Sequence, residues 1–89
     1  MTNLVIYKYP LTEIHEIVKI PKGGRVLSAG AQNDQIYIWV LINPNNTPIV
    51  RDFIIAGTGQ KFSTNRELIF ISRVTMGNFE FHVFEEVDD

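Results

Sequence analysis

The stretch Ile36-Tyr37-Ile38-Trp39-Val40-Leu41-Ile42 contains no polar position. A strand with one wet face alternates apolar and polar residues. A run without alternation predicts a strand covered on both faces, central in its sheet, with Trp39 in the core. Such a strand needs neighbours, and the chain supplies them as short runs of β-branched and aromatic residues. These are Leu4 to Tyr9 (stopped by Pro10), Ile14 to Ile20, Val26 to Gln32, Gln35 to Asn43, Ile49 to Ala56, Leu68 to Thr75 and Phe79 to Val87. In the second run Ile14, Glu16, Val18 and Ile20 share one face, with His15, Ile17 and Lys19 on the other.

Turn signals separate the runs. Pro21-Lys22-Gly23-Gly24 reverses the chain, because proline presets φ and glycine supplies a positive φ. Gln32-Asn33-Asp34-Gln35 reads as a tight hairpin, since Asn and Asp tolerate the left-handed conformation of primed turns. Residues 43–48, NPNNTP, form an exposed connection whose prolines cannot donate to a ladder. The terminal hairpin turns about Gly77-Asn78. Residues 60–67 are the one irregular stretch, long enough for a lid or a single helical turn capped by Ser63 or Thr64. No 3.6-residue apolar period or internal repeat is visible. The expectation is one all-β domain over residues 1–89, a small antiparallel sandwich or partly open barrel of about seven strands.

A chain of 89 residues makes a small core, so association between subunits would add stability. The formal net charge is −2 and the eight Lys and Arg are scattered. Duplex DNA binding depends on a basic face, so duplex DNA is not expected as a partner, although a small anion needs only one or two cations. There is no cysteine, which excludes disulfides and thiolate metal sites. No basic leader with an apolar stretch, and no run of membrane-spanning length, is present. A cytosolic protein without membrane contact is expected.

Residues able to do chemistry are few. His15 and His82 are the histidines; two isolated imidazoles do not make a metal site, and neither a metal nor a cofactor is expected. His82, between Phe81 and Val83, reads as an ordinary half-buried strand residue, with a functional imidazole as the sharper alternative; His15 reads as surface. No serine sits in a nucleophile elbow. Glu13, Glu16, Asp52, Glu67 and Glu80 are better explained by solvation than as an acid–base pair. The acidic tail Glu85, Glu86, Asp88 and Asp89 reads as solvated. No enzyme is expected.

The strand 49–56 enters Gly57-Thr58-Gly59. A Gly-x-Gly turn is more often a bend than a phosphate nest, and neither the dinucleotide fingerprint nor the P-loop pattern is present. Its surroundings favour a ligand nonetheless. Two glycines permit close approach, successive amides can converge on an anion, Thr58 adds a hydroxyl, and Arg51 and Lys61 flank the loop. Among the aromatics, Tyr9 beside Pro10 and Phe62 beyond the loop are placed for exposure. An aromatic face stacked on a base contributes about 1–3 kcal/mol.

Four segments carry a resemblance over nearly the whole chain: YKYP near the start, VLSAGAQNDQIYIWVLINP (26–44), RDFIIAGTGQKF (51–62) and the closing FEFHVFE. Together they resemble a widespread family of very small phage-encoded proteins, and through it the chain is similar to the anti-CBASS sponges. Those proteins bind the cyclic oligonucleotide signals of a bacterial immune system and sequester them as multimers. The resemblance implies a non-catalytic binder of a cyclic dinucleotide such as 3′3′-cGAMP, acting in the cytoplasm of the infected host. Tyr9, Trp39, Arg51, Gly57, Thr58, Gly59 and His82 are the matching positions, and Lys61 joins them as the flanking cation. The loop amides and Thr58 would meet phosphate, Arg51 phosphate or a guanine edge, and Tyr9 a base. Trp39, on a central strand, also fits the core. Lys61 and Phe62 depart from the small or polar residues of the family, which points to a different ligand preference. A dimer or tetramer is expected, since so small a chain hardly encloses a dinucleotide alone. The alternative is a phage protein-interaction module that inhibits a host protein through a sheet edge or aromatic patch. A minor virion component fits the fold but no particular residue.

Overall fold

The apolar run at 36–42 lies in the middle strand of a three-stranded sheet. The computed structural model describes residues 2–88. Its strands are β1 (Val5–Leu11), β2 (His15–Pro21), β3 (Arg25–Gln32), β4 (Gln35–Ile42), β5 (Pro48–Gly57), β6 (Glu67–Met76) and β7 (Phe79–Val87). They form two antiparallel sheets, β1-β4-β3 and β2-β5-β7-β6. The sheets face each other as an all-β sandwich, with no helix among the described residues.

Alternation along β4 places Ile36, Ile38, Val40 and Ile42 inward, against Val18, Ile20, Phe53, Ile55, Val74 and Val83 of the other sheet. Phe53, wholly buried, is the largest side chain of this core. The expected central position of β4 is therefore observed, but full cover on both faces is not. Tyr37, Trp39 and Leu41 remain half-buried on the outer face, because a three-stranded sheet has its second layer on one side only. Trp39 accordingly lies outside the core.

The turns follow their chemistry. Asn33 and Asp34 adopt φ of 51° and 60° in the β3–β4 hairpin, as primed turns require. Gly24 is required by close approach, since a Cβ there would lie 2.7 Å from Ile20 Cγ2. Pro10 does not stop β1, which continues to Leu11; β1 is an edge strand, where a residue lacking an N–H is tolerated. Residues 60–66 form no helical turn. They run as an extended strap over the outer face of the four-stranded sheet, with Phe62 6.2 Å from Phe84 between ring centroids and Arg66 bonded to Asp52 at 3.0 Å.

One expectation about charge is overturned. Glu85 and Glu86 are buried, not solvated, because β7 is flanked on both sides by β5 and β6. Asp88 is exposed and paired with Arg66 at 3.1 Å; Asp89 lies outside the described residues.

Candidate functional site

β5 delivers the Gly57-Thr58-Gly59 bend to one end of the sandwich, beside the β6–β7 hairpin. Between them opens a recess of about 520 Å³, lined by Gly57, Thr58, Thr75, Asn78, Phe79 and Phe81 among others. Thr58 continues the β5–β7 ladder by donating its N–H to Glu80 O at 3.1 Å. That contact carries its hydroxyl to 2.8 Å from His82 Nε2, on the same face of the sheet. The hydroxyl donates or accepts according to the imidazole tautomer, so the pair adapts to either polarity of guest.

The bend is not the amide nest its sequence suggests. Gly57 N–H donates to the Gln60 side chain at 2.9 Å, Thr58 N–H to Glu80, and Gln60 N–H to Gly57 O at 2.9 Å. Gly59, at φ 83°, has the one N–H of the four with no acceptor among the described residues. The bend thus has one uncommitted N–H, and its remaining free hydrogen-bonding groups are side chains.

Arg51 stands far from the bend, six residues back along β5. Its Nε and Nη2 donate to Glu85 at 2.6 and 2.8 Å, and its Nη1 donates to Gly24 O. With its guanidinium spent in a largely buried bidentate pair, Arg51 joins two strands and a turn and has no free edge for a phosphate. Tyr9 is half-buried on the inner side of β1, where burial and the neighbouring Tyr7 raise its phenol pKa. Trp39 is on the outer face of the other sheet. Of the eight expected residues, Gly57, Thr58, Gly59 and His82 come together, Lys61 follows on the exposed strap, and Tyr9, Trp39 and Arg51 lie elsewhere.

Two residues at this end were missed. Arg73 is the β6 partner of His82; it is exposed and has no carboxylate partner among the described residues. Phe79 is 68% exposed, its ring 6.4 Å from that of Phe81. Counting outward from Gly77-Asn78 pairs 76 with 79 and 73 with 82, so the hairpin register was the signal for both.

A second polar group sits midway along the four-stranded sheet. Arg66 bonds Asp52, Asp88 and Glu86 O, and Thr64 donates to Glu86 Oε2. The buried Glu86 Oε1 has no aligned donor although His15 Nε2 is 3.1 Å away. The bond to Asp52 raises the already high pKa of Arg66, so the guanidinium stays charged and holds the strap down. No trio of His, Asp and Glu among the described residues is arranged to hold a metal. No described helix is long and apolar enough to cross a membrane.

Residues 2–89 match the model of a family described as Domain of unknown function (DUF7352). No curated protein and no solved structure matches the chain.

Proposed function

The chain belongs to the DUF7352 family, and we propose that it is a phage immune-evasion protein that binds and sequesters a cyclic dinucleotide without hydrolysing it. The observation that carries this reading is the open recess lined by Thr58, whose hydroxyl is hydrogen-bonded to His82 behind it, and by the bare ring of Phe79. Phe79 offers a face for a base. Arg73 (the β6 partner of His82), Lys61 and the Gly59 N–H, although outside the recess lining, are the free donors for phosphate nearest to it, taking over from Arg51 and the spent amides. Glu80, also in the wall, is an acceptor for the N–H edge of guanine. A recess this open leaves one side of a dinucleotide uncovered, so a second copy closing over it suits the reading.

A thermal-shift and denaturation panel of cyclic dinucleotides tests it. At ligand a hundredfold above Kd, unfolding free energy rises by about 2.7 kcal/mol, and the nucleotide is recovered intact. No stabilisation by any cyclic dinucleotide refutes the reading.

A second reading has its own observation. β1 is a free sheet edge with Ile6 and Tyr7 about half exposed, as is Leu4 just before it, which suits strand addition by a host protein. Capture of one host protein, abolished by Ile6→Asp, would favour it over the sponge.

A further inference from the structure

We propose that the outer face of the three-stranded sheet binds a short single-stranded oligonucleotide, with a base stacked on Trp39. This site is distinct from the recess and does not rest on the reading above.

Register places Trp39, Tyr37, Lys8, Arg25 and Gly30 together on that face, opposite to the buried Ile38 and Val40. Gly30 sets the posture of the indole. A Cβ there would meet Cζ3 and Cη2 of Trp39 at 3.3 and 3.6 Å, so glycine leaves room for the far edge of the indole over the backbone. Tyr37 stands beside it, centroids 6.2 Å apart and planes inclined by 53°. Lys8 Nζ lies 4.5 Å above the Tyr37 ring and donates to Gln32 at 3.0 Å. That cation is held against the face of the sheet.

The distribution of charge selects the occupant. β1, β3 and β4 contain Lys8 and Arg25 and no Asp or Glu, while β5 carries Asp52, β6 Glu67, and β7 Glu80, Glu85 and Glu86. A protein of net charge −2 thus keeps one sheet whose strands carry only cations as charged residues, with Asp34 confined to the β3–β4 turn. Lys8 is opposite Trp39, and Arg25 is two residues along and two strands across, opposite Leu41. Strand spacing and rise put their Cα atoms roughly 12 Å apart, the span of about two nucleotides in an extended strand. Flat aromatic sheet faces flanked by cations suit unpaired bases, whose π-faces a duplex conceals. Two cations are too few for a duplex footprint. An acidic protein partner would meet the same cations but has no use for the half-exposed indole and phenol rings between them.

Trp39 is the single tryptophan, so its emission reports on this face alone. Titration with a fluorescein-free decamer of thymidylate is expected to quench Trp39 saturably, and anisotropy of a labelled decamer is expected to rise in parallel. Contact with two phosphates gives a slope of log K against log salt near −1.4, at about 0.7 per phosphate on single strands. Trp39→Leu, checked for fold by circular dichroism, is expected to weaken binding at least roughly fivefold. Lys8→Ala with Arg25→Ala flattens the salt slope, and Thr58→Val, at the recess, changes neither quantity. The proposal is overturned by no quenching, by equal binding of a duplex decamer, or by retention of full affinity by the Lys8/Arg25 double variant. Concentration-dependent blue-shifted emission without any response to oligonucleotide also overturns it, and would identify a second copy as the occupant. Cyclic-dinucleotide stabilisation that persists in Trp39→Leu separates failure here from failure at the recess.

Discussion

The two ends of β5 carry opposite designs on one strand. At the Arg51 end, a guanidinium, the Glu85 carboxylate and the Gly24 carbonyl satisfy one another inside the sandwich. At the Gly57 end, the chain leaves the sheet beside an open recess, and its hydroxyl and imidazole face outward. The same ladder with β7 supports both. A cation is informative about binding only once its partners are known, and here the cation in the conspicuous motif is the one already occupied.

Breaking the locked end should have the largest effect. Glu85→Ala leaves a largely buried guanidinium uncompensated, and is expected to cost about 3–5 kcal/mol in urea unfolding while leaving the proposed response to cyclic dinucleotides unchanged. Replacing Arg51 and Glu85 together with Met and Leu should recover most of that loss; a pair whose double replacement costs as much as the single would mean the carboxylate serves something besides Arg51. Next comes Gly24→Ala, which crowds Ile20 and Ile42 and is expected to cost about 1–3 kcal/mol, again read by denaturation.

The open end should respond in the reverse sense. Thr58→Val and His82→Phe are expected to change stability by about 1 kcal/mol or less yet abolish the thermal shift proposed for cyclic dinucleotides. A large loss of stability from either would erase the contrast between the ends. The smallest effect belongs to Glu16. The Thr12 hydroxyl first, then the amides of Thr12 and Glu13, hold its carboxyl below the usual glutamate range. The folded value is depressed, so this contribution is complete above the ordinary glutamate pKa and fades as pH falls through the folded one. Glu16→Gln should lower stability at neutral pH by about 1 kcal/mol and remove that share of the acid-side decline in a pH series of melts.

The strands were legible because their signals are local. Runs of β-branched residues, the Asn33-Asp34 hairpin and the Gly77-Asn78 turn each act within a few residues, and the seven strands fall where those signals stand. What failed was non-local. Glu85 and Glu86 resemble a solvated tail until Arg51 arrives from 34 positions away and Thr64 from 22. The run 36–42 implies two covered faces, but nothing in it says that its sheet stops at three strands. Thr58 and His82 meet across 24 positions through a β5–β7 pairing that skips β6, which no neighbouring residue announces. Arg73 and Phe79 were within reach, because hairpin arithmetic about Gly77-Asn78 is local.

That hairpin also sets where the chain tolerates change in length. Side chains alternate strictly across a strand, and Arg73 and Val74 are neighbours on β6, one facing His82 and the other buried at 3% exposure. Slipping the pairing by one position exchanges them, driving a guanidinium inward and a valine into water. Insertions at Gly77-Asn78 that slip this register are thus excluded, whereas the strap at 60–66 lies outside any ladder and can lengthen between its anchors at Phe62, Thr64 and Arg66. Diversity among relatives should accumulate as lengthened straps beside an unvarying two-residue turn.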